Sequence, residues 1–384
     1  MINAQQDGPD LSTGLDAAAP VSQMFRDAVS ERLEIFLDEQ AAVLQPMGAE
    51  LLGVQRMARE LLTGGKRLRP AFCYWGYVAA AGCPDTPGPL LSAAASLDLL
   101  HVSALVHDDV MDASDLRRGR PAAHRQFEAL HTSAGWLGDP ETFGRAGAIL
   151  LGDLLVMWSV EMLQRAGLPD AALASALPVA QAMRTEVTCG QYLDVLAQVH
   201  RLRSSAAEIL GGEADAALAD ANRVVEYKSA RYTVQRPCQF GAALGGADER
   251  LQAALAAYGS PLGRAFQFRD DLLGVFGDPL VTGKPTGDDL REGKRTVLIA
   301  HAYAASTPVG QELLVRLLGD PALDEDGITL LHEVIISSGA RDAVESMIED
   351  SYQQALGALA GADLTDPGRT ALTELATAAV RRSF

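Results

Sequence analysis

Aromatic residues are scarce, at 5% of 384 residues, and positive charge is outnumbered: 32 Lys and Arg stand against 50 Asp and Glu, a net charge of −18. That balance excludes a chain that holds nucleic acid through a general electrostatic field. Any phosphate it binds must be met by local basic residues or by metal ions. Cysteine is sparse as well. Cys73, Cys83, Cys189 and Cys238 form no C-x-x-C pair and have no histidine at zinc spacing, so reduced thiols in a cytoplasmic protein are expected rather than a zinc module or a disulfide scaffold. The first twenty residues lack the basic start and apolar middle of a secretory signal. No uncharged apolar run reaches about 18 residues, so no membrane-spanning helix is expected. The richest stretch, AGAILLGDLLVMWSVEML, is interrupted by Asp153 and Glu161. Strand-like alternation is rare, and no G-x-x-x-x-G-K-[ST] phosphate loop occurs.

What is present is helix. Long stretches rich in Ala, Leu, Glu, Arg and Met follow one another, and these are strong helix formers. Breakers punctuate them at Gly64-Gly65, Cys83 to Pro89, Gly135 to Pro140, Gly211-Gly212, Gly277 to Gly287 and Thr307-Pro308. The simplest reading is a flexible tail over residues 1–20 and a single all-α domain over 21–384. A split into two domains near residue 205 is the alternative, because SSAAEILGGEADAALADA is looser and more polar.

Two of these helices end in acids. The segment Leu90 to Asp112 is apolar on nearly all sides, which marks a helix inside a bundle, yet it finishes with Asp108, Asp109 and Asp112. Asp108 and Asp112 are four apart and share a face, roughly 6 Å from each other. The segment YGSPLGRAFQFRDDLLGVFGDP repeats the design with Gln267, Asp270 and Asp271. Carboxylates gathered near a core repel one another unless a cation joins them. Mg²⁺ suits such a set, since it binds through one or two carboxylates plus substrate phosphates. Asp108, Asp109, Asp112, Asp270 and Asp271 are therefore the candidate metal ligands. The alternatives are a helix end that pairs its acids with Arg117, Arg118 and Arg120, and a capped turn before Asp278-Pro279.

The few cations are clustered. GGKRLRP places Lys66, Arg67 and Arg69 after two glycines, where backbone can approach a phosphate closely. DLRRGRP follows the first acidic cluster with Arg117 and Arg118. Lys228 lies in EYKSARYT, and Lys284 and Lys294 in TGKPTGDDLREGKRT.

Taken together, GGKRLRP, DDVMD with RRGRP, CGQYLD, YKSARYT and FQFRDDLLGVFGD with GKPTGDD resemble, in order and spacing, the motif series of the trans-isoprenyl diphosphate synthases, the polyprenyl synthetase family. The resemblance covers about residues 60 to 300. It implies an all-α bundle around a deep central cavity, usually a homodimer, and a head-to-tail condensation of isopentenyl diphosphate with an allylic diphosphate (dimethylallyl, geranyl or farnesyl). It makes Asp108 and Asp112 ligands of two Mg²⁺ ions and Asp270 the main ligand of a third. Lys66, Arg69, His101 and Arg118 match the isopentenyl diphosphate site. Arg117, Lys228, Lys284 and Lys294 match residues that hold the allylic diphosphate. Ser229, the Lys228 carbonyl and Gln267 lie where the allylic cation is stabilised, and Gln191 and Asp194 match a pair that backs the site. The sequence departs from the pattern in DDLLG, where Gly274 replaces the usual last Asp, and at Ser229, where many relatives have Thr.

The same resemblance bears on product length. Bulky aromatics four or five residues before the first Asp close the pocket early; those positions are Ala104 and Ser103, both small. Leu100 and Leu97 are the next floor candidates, one and two turns deeper. A turn adds about 5.4 Å, close to one isoprene unit, so a twenty-carbon geranylgeranyl product is expected over farnesyl, with a longer chain as the alternative. A class I terpene cyclase would have no use for Lys66, Arg69 and His101, and a non-catalytic synthase partner would be expected to have lost acidic ligands.

Overall fold

In a computed structural model the described residues are 15–199, 213–278, 287–320 and 322–381, and they are almost entirely helical. The helices are α1 (Gln23–Leu44), α2 (Leu51–Leu62), α3 (Leu68–Ala81), α4 (Pro87–Met111), α5 (Ala123–Ala134), α6 (Pro140–Gln164), α7 (Asp170–Val199), α8 (Glu213–Val224), α9 (Arg236–Leu244), α10 (Glu249–Phe276), α11 (Asp288–Arg291), α12 (Val297–Ala305), α13 (Pro308–Leu317), α14 (Glu325–Ser337), α15 (Ala340–Ala360) and α16 (Asp366–Val380). Among the described residues the strands are one short hairpin, β1 (Leu116–Arg117) and β2 (Arg120–Pro121). Leu68-to-Ala81 and Pro87-to-Met111 are nearly all apolar, and both are buried on most of their circumference, as a helix enclosed by others must be. Side-chain caps start several helices: Ser22, Asp139, Asp248, Thr296 and Asp324 each accept a bond from a first-turn N–H.

Helices from before and after residue 205 pack on one another. α3 lies against α9 and α16, and α7 lies against α9. The region around residue 205 itself, where a split was the alternative, lies outside the described residues, as does Lys284. Part of the expected N-terminal tail is packed: Pro20 is buried, and its carbonyl accepts a bond from the Trp75 indole N–H at 3.0 Å. Two helices are long and apolar enough to cross a membrane by length and composition, α4 and α6, against the expectation from uninterrupted runs. The most apolar window of α4 is 72% buried, in keeping with a bundle core; that of α6 is only 44% buried.

Between α8 and α9 the backbone widens. Residues Val225–Gln235 form a π-helical stretch, in which the Arg236 N–H reaches back five residues to the Arg231 carbonyl. Such stretches are rare and recur at functional sites. Glycines make room for this one. A Cβ on Gly190 of α7 would collide with the Lys228 backbone, and Cβ atoms on Gly259 and Gly263 of α10 would collide with Gln235 and Ala230. The wide segment is thereby clamped between α7 and α10, which fixes where Lys228 and Ser229 point.

Candidate active site

The bundle encloses a cavity of about 660 Å³, walled by α4, α7, the π-helical stretch and α10, with the 64–69 segment, the 117–118 hairpin and residues 289–296 completing its lining. Lys66, Arg69, His101, Ala104, Asp108, Arg117, Arg118, Gln191, Asp194, Lys228, Ser229, Gln267, Asp270, Asp271 and Lys294 all line it. Residues as much as 228 positions apart in the chain thus meet in one hollow, and the two acidic helix ends share it.

Strained backbone delivers the arginines. Among the described residues, three that are not glycine have positive φ: Arg67 at 52°, Ala113 at 52° and Arg118 at 55°. Arg67 and Arg118 line the cavity, where strain of this kind tends to be retained for function. Arg118 and Gly119, at φ 73°, are the two central residues of the hairpin that pairs Arg117 with Arg120, and successive left-handed residues give the tight turn such a hairpin needs. Arg67, at the start of α3, is a strut rather than a ligand. It is 7% exposed and donates to Asp98 at 2.7 Å, to Ser30 at 3.1 Å and to the Leu62 carbonyl at 2.8 Å. The strut leaves Lys66 and Arg69 on the cavity wall. Arg69 stacks over the Tyr232 ring at 4.3 Å and donates to Thr233 at 2.8 Å.

This end of the cavity is built for an anion. Burial, then Arg69, Arg118, Arg117 and Arg67, hold His101 well below the ordinary imidazole value, so its ring is neutral. Burial and the neighbouring arginines also lower Arg118, although Asp98 works the other way. Cations crowded together in this way are relieved by a polyanion that accepts from all of them.

The first acidic cluster is held by cations. The Asp108 carboxylate accepts from Gln191 at 2.8 Å and Lys228 at 3.1 Å, and Arg117 stands at 3.6 Å. Burial pushes Asp108 up, but Lys228, Lys294 and Arg117 outweigh it and hold it down at about 2. Asp194 accepts from the other side of the same Lys228 ammonium at 2.6 Å. Asp108 and Asp194 keep Lys228 charged against its own burial. Asp112, one turn on, does not itself line the cavity; its side chain is only 2% exposed, its two oxygens accept no hydrogen bond, and Lys294 is 3.5 Å away. Burial and Asp108 raise it.

Asp109 departs from expectation. It is 2% exposed, does not line the cavity, and accepts from Arg117 Nε at 2.9 Å and from a second nitrogen of the same guanidinium. One residue along a helix is about 100° around it, so Asp109 cannot share the cavity-facing side of Asp108. It aims Arg117 instead.

The second cluster is organised by amides. Ser229 donates to the Gln267 side-chain carbonyl, and the Gln267 amide nitrogen donates to Asp271 at 2.8 Å. The chain orients the hydroxyl with its lone pairs still available. Asp271 is 4% exposed, and burial, reinforced by Asp289 and Asp270 and eased by the Gln267 bond, pushes it up to about 8. Asp270 lines the cavity with it.

The pocket floor also departs from expectation. Ala104 lines the cavity with Leu105, Val187, Val225 and Phe266. Ser103, Leu100 and Leu97 do not. Ser103 is buried against α6 and donates to the Gly152 carbonyl at 2.7 Å, while His107 on the same stripe bonds the Ile149 carbonyl. The cavity face of α4 carries Asp98, His101, Ala104, Leu105 and Asp108; the stripe through Ser103 is turned into the α4–α6 contact.

Sequence reasoning passed over Glu292 and Asp289. Glu292 accepts from Ser114 at 2.8 Å and faces Lys294 at 2.7 Å, tying the end of the hairpin segment to the loop after α11. Their spacing from Lys294 within GDDLREGK was the available signal.

Does this donor set fit Mg²⁺? Among the described residues no three His, Cys, Asp or Glu side chains converge to hold an ion by themselves. The buried, unbonded oxygens of Asp112 and the unbonded Oδ2 of Asp271 are acceptors in want of a partner. Hard carboxylate oxygens, few at each end, suit an ion that completes its shell with water and phosphate.

The all-α fold and a cavity that gathers carboxylates, arginines and lysines define a class of helical protein with a charged central hollow. A polyprenyl synthetase family model matches residues 53–334. The chain is 31% identical over 314 residues to a geranylgeranyl diphosphate synthase of Mycobacterium tuberculosis, covering 82% of this chain and 79% of that one. It is 31% identical over 286 residues to a geranylfarnesyl diphosphate synthase of Aeropyrum pernix, covering 74% and 79%. Its fold is similar to a crystal structure of geranylgeranyl pyrophosphate synthase from Corynebacterium glutamicum complexed with isoprenyl diphosphate and magnesium, at a TM-score of 0.87 and 39% identity over 94% of this chain and 99% of that one. The chain belongs to the polyprenyl synthetase family.

Proposed function

We propose that the protein is a Mg²⁺-dependent trans-prenyltransferase that joins isopentenyl diphosphate head to tail to an allylic diphosphate, with geranylgeranyl diphosphate as product. The observation that carries this reading is the bipolar cavity: a crowded arginine end beside a neutral His101, and a carboxylate end beside Lys228 and Lys294. In this proposal Lys66, Arg69, His101 and Arg118 take the diphosphate of isopentenyl diphosphate. Arg117, Lys228, Lys294 and Lys284 take that of the allylic substrate. Bound by Asp108, Asp112 and Asp270, three Mg²⁺ ions would neutralise charge gathering on the leaving diphosphate.

The chain's own part is positioning and charge. The allylic C1–O bond breaks and its electron pair stays on the diphosphate, where Arg117 and the lysines face the new charge. The cation left behind lies beside the Ser229 hydroxyl, whose proton is committed to Gln267, so oxygen lone pairs face it. The double bond of isopentenyl diphosphate attacks, and the released diphosphate takes the proton that the new cation sheds. Holding both substrates in one hollow makes the step effectively unimolecular. Ala104, Leu105, Val187, Val225 and Phe266 keep water from the cation. Small Ala104 on the wall supports a twenty-carbon product.

Two coarser elements belong to the same proposal. Residues 21–384 act as one domain, as a reduced, cytoplasmic protein with all four cysteines free. A homodimer is supported by α6, where Leu150 and Met157 are each 68% exposed and Ile149 joins them on one side. The test is incubation with labelled isopentenyl diphosphate, each allylic primer in turn and Mg²⁺, followed by sizing of the product. A twenty-carbon diphosphate is expected and chelation should abolish turnover; no elongation with any primer refutes the reading.

A further inference from the structure

The last position of the second acidic motif is Gly274, and another part of the chain occupies the space a side chain would take there. A Cβ built on Gly274 would collide with the Asp289 carboxylate, its Oδ2 nearest. Asp289 stands on α11, fifteen residues further along, and lines the same cavity as Asp270, Asp271 and Gly274. Its side chain is 14% exposed. The backbone fixes its placement, since the Lys294 N–H bonds its carbonyl at 3.0 Å and the Leu290 N–H bonds that of Gly287 at 3.0 Å. Lys294 faces it at 3.7 Å, but the same ammonium is 2.7 Å from Glu292 and 3.5 Å from Asp112. Close by, Asp271 has an Oδ2 that is buried, in a residue 4% exposed, and accepts no hydrogen bond. A buried carboxyl oxygen with no partner, beside other carboxylates, is a group that a cation would satisfy, with loss of its proton.

We propose that Asp289 supplies the carboxylate that Gly274 lacks. It joins Asp270 as an acceptor for the hydrated divalent ion at the second cluster, and Gly274 is the residue whose missing side chain admits it. The inference rests on the prenyltransferase reading and deepens it: the motif DDLLG is completed from α11 rather than left one acid short.

The test is a Mn²⁺ titration of the full chain with inorganic pyrophosphate present, read by the paramagnetic resonance of free Mn²⁺, alongside thermal unfolding. Asp289→Asn keeps the shape and removes the charge. It should weaken one bound Mn²⁺ by about 10- to 100-fold, the range seen when groups that orient or support a metal site are removed. Gly274→Asp alone should lower the unfolding temperature, because its new side chain meets Asp289. Gly274→Asp combined with Asp289→Gly should recover both the unfolding temperature and the lost ion, since one acid again fills the space. An Asp289→Asn isotherm that overlays the wild type, or a double variant that regains neither property, overturns the inference. If the wild type itself binds no Mn²⁺ with pyrophosphate and makes no prenyl product, it is the functional reading that falls.

Discussion

The two acidic helix ends read alike in sequence, each an apolar helix finishing in adjacent aspartates, but the fold gives Asp108 of one and Asp271 of the other opposite electrostatics. At the end of α4, Asp108 is ringed by Lys228, Lys294 and Arg117 and stays ionised down to about pH 2. At the end of α10, Asp271 meets the Gln267 amide and other acids and holds its proton up to about 8. A depressed carboxylate is poised to meet metal at any ordinary pH. A raised one releases its proton when a cation arrives. The difference teaches that a D-D pair is not a unit of function: what decides its chemistry is the charge of the side chains that other helices bring to it.

The sharpest way to break the comparison is Asp108→Asn. It removes the acceptor shared by Gln191 and Lys228, and kcat/KM should fall by at least about 10²- to 10³-fold, as when one preorganised charge-stabilising group is lost. Steady-state kinetics on the isolated product decides it; a change of less than tenfold would mean the first cluster is not where the diphosphate is held.

Next in size is Gly263→Ala, which tests the clamp that sets Ser229 opposite the second cluster. The added methyl meets the Ala230 backbone, and overpacking of this kind costs about 1–3 kcal/mol. Denaturant unfolding should show that loss, and turnover should fall with it. Unaltered stability would mean that the π-helical stretch has room to spare.

Asp271→Asn sharpens the comparison through pH. Because the folded value lies above the unfolded one, the native chain keeps a proton the unfolded chain has released between about pH 4 and pH 8. The metal-free protein therefore loses this contribution to stability as pH rises through that window. Asp108 has the opposite sign: its contribution is present above about pH 4 and fades as pH falls toward 2. Unfolding curves taken across pH should show a shallower decline for Asp271→Asn than for the parent; parallel profiles would count against a protonated Asp271.

The gentlest change expected is Ala104→Phe. An aromatic ring on the cavity face of α4 should shorten the product by about one five-carbon unit, since one helical turn and one isoprene unit are of similar length. Product chromatography reads it. Ser103→Phe should instead disturb the α4–α6 contact, because that side chain is turned to Gly152.

Much of the site was legible because helical spacing is local. Lys228, Gln267, Asp270 and Asp108 each end or flank a motif whose face can be read from i, i+3 and i+4 steps. At two positions the reading failed by a rotation. Asp109 beside Asp108 and Ser103 beside Ala104 are neighbours in sequence yet about 100° apart around the helix, and which of two adjacent residues faces the hollow depends on the helix packed against them. The roles of Arg67 and Asp98 were hidden for a related reason. A basic residue in a phosphate-like loop looks like a ligand until its burial against an acid thirty-one positions away is seen.

By itself the sequence determined an all-helical chain, acids at two helix ends and cations in a few tight clusters, because each follows from composition and short-range periodicity; the family was legible through the resemblance of its ordered motifs. Tertiary structure alone decided which carboxylates are ionised, that Asp109 aims an arginine, that the stripe through Ser103 is turned into a helix contact, and that Asp289 fills the space at Gly274. Those outcomes depend on burial and on charges contributed by segments far apart in the chain, and neither is encoded in the spacing of any one motif.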